Sequence, residues 1–139
     1  MNYKVIPLLT TLLFSCVANA QEGNSTFQSF NKAKKALAGQ VYNQLPNETL
    51  YCAASFKGKK VTDLNGFYSS KYKKRGKKIE WEHVVPAENF GRSFSEWRDG
   101  DPLCVTKKGK KFKGRNCASK INKEYLYMQA DIYNLYPAV

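Results

Sequence analysis

An α+β fold is what this sequence predicts, and three segments carry the prediction. Ile79 to Val85 is an apolar and aromatic run of strand-like composition, stopped by Pro86. Ile121, Tyr125, Met128, Ile132 and Leu135 step by 4, 3, 4 and 3, an apolar stripe along one helix that Pro137 ends. Phe27, Phe30, Ala33 and Leu37 repeat at helical spacing over residues 26–38, behind a Ser25-x-x-Gln28 capping pattern and ahead of Gly39 as a stop. After that first helix the expected order is strand, long basic loop and terminal helix.

The elements follow in chain order from local chemistry. Residues 1–20 read as an export signal: Lys4 supplies one charge, Val5 to Val17 is uncharged and mostly apolar, and Ala18-Asn19-Ala20 has the A-x-A form of a cleavage site. Phe14 is too bulky for the small residue expected before a lipidated Cys16, so no membrane anchor is expected. Residues 21–139 then form one domain, expected in the periplasm or secreted, and monomeric. Pro46-Asn47-Glu48 marks a loop, and Leu50 to Phe56 reads as a short extended or buried segment ended by Lys57-Gly58-Lys59-Lys60. The run Lys71 to Lys78 holds six basic residues and is a solvated connection into the Ile79 strand. Asn89 to Asp101 is loop-like, anchored by Phe90, Phe94 and Trp97, and a second strand is expected somewhere within 102–118.

Charge narrows the partners. The chain carries 23 Lys plus Arg against 11 Asp plus Glu, a net +12, and loss of the leader removes only Lys4. Such a field attracts nucleic acid, anionic glycans or anionic lipid, and alone does not choose among them. Nine Tyr and two Trp add faces on which bases can stack, although most aromatics in a small domain are core. Cys104 and Cys117 flank a basic, glycine-containing loop and are the expected disulfide, which leaves Cys52 without a partner. Thiol ligation of a metal is disfavoured, because there is no C-x-x-C spacing and the one histidine is distant.

The chemistry concentrates in Glu80-Trp81-Glu82-His83-Val84-Val85-Pro86. Neutral imidazole near pH 7 is basic enough to take a proton from water. A hard divalent cation such as Mg2+, with Mn2+ or Ca2+ as substitutes, prefers oxygen ligands and can neutralise a phosphate and its leaving oxygen. Glu82 offers a carboxylate and Asn134 an amide oxygen, one on the strand and one on the terminal helix, where Asp131 and Asn134 lie three apart. Strand alternation sends Glu82 and His83 to opposite faces, so one can hold metal while the other addresses water. Arg115, beside Cys117, can clamp a phosphate oxygen bidentately. Taken singly, each has a plainer reading: a hydrogen-bonded histidine at a strand end, a surface carboxylate, a helix-ending Asn, one cation among many.

As a set, these segments resemble the bacterial endonuclease I family of non-specific nucleases. The likeness rests on Ile79-Glu80-Trp81-Glu82-His83-Val84-Val85-Pro86-Ala87, with Leu50-Tyr51-Cys52, Asn89-Phe90-Gly91, Gly114-Arg115-Asn116-Cys117 and Ala130 to Ala138 in support. It runs from about residue 28 to the last residue. The resemblance implies a ββα-metal (His-Me finger) core with His83 as general base, Glu82 and Asn134 as Mg2+ ligands, and Arg115 on the phosphate. It also implies endonucleolytic cleavage of DNA, and of RNA too, leaving 5′-phosphate ends. The basic residues Lys73, Lys74, Arg75, Lys77 and Lys78 are the expected nucleic-acid contacts, made mostly to phosphate and sugar. Family members continue past the Asn-Leu-x-Pro-Ala segment, so the core is expected to be incomplete at its C-terminal side, with the partner of Cys52 in the absent part. The alternative expectation is a nuclease-derived fragment that binds nucleic acid through its basic patches without cutting it.

Overall fold

A computed structural model describes residues 23–139. The expected export signal, residues 1–20, lies outside the described residues. Helix α1 (Phe30–Ala36) turns its small and apolar residues inward, burying Ala33, and passes directly into a wider π-type turn, Leu37–Val41. The expected helix is therefore displaced. Ser25 does not cap it, Asn24 accepts from the Thr26 and Phe27 amides and folds that stretch into a turn, and Gly39 lies within the π turn instead of ending the helix.

Strands β1 (Ser55–Lys57) and β2 (Lys60–Asp63) form an antiparallel hairpin around Gly58, whose positive φ of 61° suits the tight reversal. Only the end of the Leu50 to Phe56 segment is thus a strand. Ala54 and Phe56 are buried, whereas Leu50 and Tyr51 stand exposed in a turn. The Lys71 to Lys78 run is exposed apart from Gly76 and holds one short 3-10 turn, Arg75–Lys77, before β3 (Glu80–His83).

Two expectations about the second half are overturned. Asn89 to Asp101 is largely helical, as α2 (Ala87–Gly91) and α3 (Ser95–Arg98). The anchors behave as expected, because Phe90, Phe94 and Trp97 all pack on the fully buried ring of Tyr125 at centroid distances of 5.6–5.8 Å. Gly91 is obligatory in that cluster, since a β-carbon there would overlap the Trp97 ring. Residues 102–118 contain no strand; a single bridge, Val105 to Lys111, closes their loop, and the Cys104–Cys117 disulfide ties it to α4 (Arg115–Ile121).

The terminal helix is also broken. Asn122 adopts an extended conformation (φ −97°, ψ 110°) and caps α5 (Lys123–Met128) by accepting from the Tyr125 amide at 2.9 Å. Asp131 caps a short 3-10 turn, Ile132–Asn134, by accepting from Tyr133 N–H. The chain then enters β4 (Leu135–Ala138), which pairs antiparallel with β3: Glu82 faces Tyr136 and His83 faces Leu135. The inward stripe survives this breakage, with Tyr125 and Leu135 buried. The main core joins Ala33, Leu37, Phe56, Ile79, Trp81, Ala130 and Leu135, so α1, both hairpin-like sheets and the end of α5 meet behind β3. Among the described residues no helix is long and apolar enough to cross a membrane.

Candidate active site

Strand β3 sorts its side chains by alternation: Glu80 and Glu82 are exposed, Trp81 is buried, and His83 is half-buried at the edge of the core. The expected divergence of Glu82 and His83 is what the strand delivers. His83 is held on three sides. Its ring stacks on Phe30 from α1 (centroids 5.2 Å apart, 17° between planes) and leans on Phe90 from α2 at 5.8 Å. Its Nε2 lies 3.0 Å from the backbone carbonyl of Gln129. A carbonyl only accepts, so Nε2 carries the proton and Nδ1 is left with a free lone pair.

Electrostatics reinforce that state. Burial of the ring lowers the His83 pKa below the ordinary 6.5; the bond to Gln129 raises it, Arg115 lowers it further, and Glu82 raises it. The lowering prevails, and the imidazole is neutral at pH 7. Gln129 is itself a buried polar residue, its side-chain oxygen accepting from Ser119 Oγ at 3.3 Å, which fixes the turn that presents its carbonyl.

Arg115 is the first residue of α4, exposed, with its guanidinium over the Phe30 ring at 5.4 Å. Phe30 thus has His83 stacked on it and also lies under Arg115 and Lys34, whose Nζ is 4.5 Å from the ring centre. Beneath Arg115 lies Tyr125. Burial pushes its phenol pKa up, and the nearby Arg115 guanidinium pulls it down. In the sequence, Phe30 belongs to an apolar repeat at helical spacing and Gln129 carries no signal. Nothing in the sequence flags a backbone carbonyl, and an inward aromatic at helical spacing reads as core.

Asn134 sits at the end of the 3-10 turn, not on a helix, and it grips the chain just beyond His83. Val85 N–H donates to its Oδ1 at 2.7 Å, its Nδ2 donates to the Val85 carbonyl at 3.0 Å, and Val84 N–H donates to its backbone carbonyl at 3.0 Å. The amide oxygen keeps one lone pair. Glu82 is exposed and enters no ion pair among the described residues. The candidate oxygen donors are therefore Glu82 on β3 and Asn134 at the end of the 3-10 turn, with no cluster of three or more His, Cys, Asp or Glu among the described residues. Two hard oxygens suit a cation that keeps most of its water, as Mg2+ does, and do not suit a fully protein-caged metal.

The basic run divides. Arg75 is bonded to Glu80, whose hydrogen bond and charge raise its pKa, whereas Lys73, Lys74, Lys77 and Lys78 are exposed and in no ion pair among the described residues. Arg75, Lys78, Glu80 and Glu82 line one hollow with the end of β4, so the run adjoins the Glu82 face of β3.

No family model matches the chain. It is 34% identical to an extracellular deoxyribonuclease of Aeromonas hydrophila over 97% of its own length and 52% of that protein. It is 35% identical to a periplasmic deoxyribonuclease of the same organism, over 96% of this chain and 52% of the relative. It is 34% identical to endonuclease-1 of Buchnera aphidicola subsp. Baizongia pistaciae, over the whole chain and 53% of that protein. The chain spans about half the length of the curated relatives it matches. Across that shared half, the chain is similar to bacterial deoxyribonucleases and to an endonuclease-1.

Proposed function

We propose that this chain is an exported, Mg2+-dependent endonuclease that hydrolyses DNA, and RNA as well, without sequence preference and leaves 5′-phosphate ends. The observation that carries the reading is the state of His83: a neutral imidazole with Nε2 occupied by Gln129 and Nδ1 open, within the field of Arg115. Its only histidine is thus arranged as a base. Nδ1 takes the proton of the attacking water, and the Gln129 carbonyl stabilises the imidazolium that forms. Arg115, exposed at the start of α4, pairs with a non-bridging phosphate oxygen as charge builds there. Glu82 and Asn134 would hold the cation in the manner of a ββα-metal site. Bound there, Mg2+ would supply charge neutralisation at the phosphate and the leaving oxygen. Export to the periplasm or outside the cell agrees with the names of the relatives and with the leader-like residues 1–20.

A second reading is favoured by one observation. Both polar atoms of the Asn134 amide are already engaged by Val85. On this reading the chain binds nucleic acid through its lysines without cutting it. Plasmid degradation separates the two. The nuclease reading expects nicking and linearisation that EDTA abolishes and that His83→Ala lowers by at least about a hundredfold, the scale of a lost general base. Cutting that ignores EDTA, or that His83→Ala leaves intact, overturns the mechanism. A gel shift with no cutting by the unmodified chain establishes the second reading.

A further inference from the structure

The basic run has a second character that phosphate contact alone does not use. Between β2 and β3, Leu64, Phe67, Tyr68, Tyr72, Lys73 and Lys77 line a cavity of about 240 Å³ whose wall is almost wholly apolar. Its aromatic residues are not core: Tyr68 is 70% exposed, Tyr72 50% and Phe67 39%. Tyr72 already carries a cation on its ring, with Lys71 Nζ 5.2 Å from the centroid. Apolar aromatic walls would draw a flat uncharged group out of water, while Lys73 and Lys77 in its lining would draw an anion.

A nucleotide carries both groups in one unit. We propose that this cavity is a nucleobase subsite for single-stranded nucleic acid: an unpaired base lodges against Tyr68, Tyr72 and Phe67 while the flanking phosphates sit on Lys73 and Lys77. The proposal rests on the reading of the chain as acting on nucleic acid. Its position supports it. Lys78 runs straight into β3, and Glu82 lies four residue steps further along extended chain, roughly 13 Å at the usual strand rise. A strand anchored in the cavity can therefore lead its backbone along the Arg75, Lys78 and Glu82 hollow toward His83. In a duplex the bases are stacked and paired, so this subsite favours single-stranded or frayed ends over intact double helix.

The test is binding in EDTA, read by fluorescence anisotropy with oligonucleotides equal in length and charge. The expected result is that a single-stranded oligonucleotide binds about tenfold more tightly than its abasic counterpart, the scale of one stacked base. The double substitution Tyr68→Ala, Tyr72→Ala removes that preference while abasic affinity stays constant. Tyr68→Phe, Tyr72→Phe, which keeps the rings, retains it and guards against loss of folding. Equal affinity of the unmodified chain for both oligonucleotides, or a preference that survives the alanine pair, overturns the subsite. So does a sedimentation change on Tyr→Ala substitution without a change in base preference, which would mean that a second copy fills the cavity. Plasmid cutting is scored separately: a chain that cuts but ignores bases keeps the nuclease reading and loses this one, and a chain that prefers bases but never cuts does the reverse.

Discussion

On the proposed nuclease reading, His83 sets the pH behaviour. Its pKa lies below 6.5 because stacking against Phe30 and Phe90 strips water from the charged form. The neutral base therefore persists to a lower pH than an exposed histidine would allow. The acid limb of kcat/KM should have its midpoint below 6.5, and the Nδ1 titration followed by NMR should track it. Phe30→Ala should move both midpoints upward by opening the ring to water; a limb at or above 6.5 in the unmodified chain would contradict the burial argument. Stability moves the same way. Below 6.5 the unfolded chain takes up the proton first, so the His83 contribution is fully present above that pH and is lost as pH falls through the folded pKa. The sequence singles out Glu82, His83 and Arg115 as site candidates because their chemistry is written in residue type. It does not single out the Gln129 carbonyl or the Phe30 platform, since a main-chain acceptor has no residue signature and an inward Phe looks the same in any core.

At the scale of elements, the period of apolar residues identified which side chains face inward but not which elements carry them. The 121–136 stripe packs as expected, yet Asn122 and Asp131 each spend a side chain on the amide two or three residues ahead and restart the chain there. Those caps were visible as residue types; what overrode the helix was the pairing of Leu135–Ala138 with β3, a contact across more than fifty residues that no local window contains. The disulfide was legible because its two cysteines bracket a single loop. It also fixes the first turn of α4, where Arg115 starts two residues before Cys117. Replacing both cysteines by serine should lower stability by roughly 2–4 kcal/mol, the usual effect of opening a loop of this size. Denaturant unfolding with and without reductant measures it. The serine pair should also cut more slowly at temperatures where it remains folded, because Arg115 loses its anchor; unchanged stability and unchanged rate would show the loop to be held by Val105, Lys111 and α3 alone.

For the whole molecule, the decisive quantity is uncompensated positive charge. Of the 23 Lys and Arg, the described ion pairs engage Arg75, Arg92 and Arg98, and no lysine. The field is therefore a lysine field, and in Lys71 to Lys78 it lies directly upstream of the strand that bears Glu82 and His83. Binding through such contacts releases counterions, and affinity falls with salt at a slope of about −0.9 per phosphate neutralised on duplex DNA. Changing Lys73, Lys74, Lys77 and Lys78 to glutamine should flatten that slope by roughly 3 to 4 if all four touch phosphate. Thermal stability should hold to within about 0.5 kcal/mol, because all four are exposed and unpaired among the described residues. On the nuclease reading His83→Ala should do the opposite, leaving the salt slope intact while lowering cutting at least about a hundredfold. Measuring log affinity against log salt for the three proteins on one duplex separates the field from the chemistry. A glutamine variant with the parental slope would place the phosphate track elsewhere on the molecule, with Lys34 and the lysines of residues 107–113 the next set to neutralise.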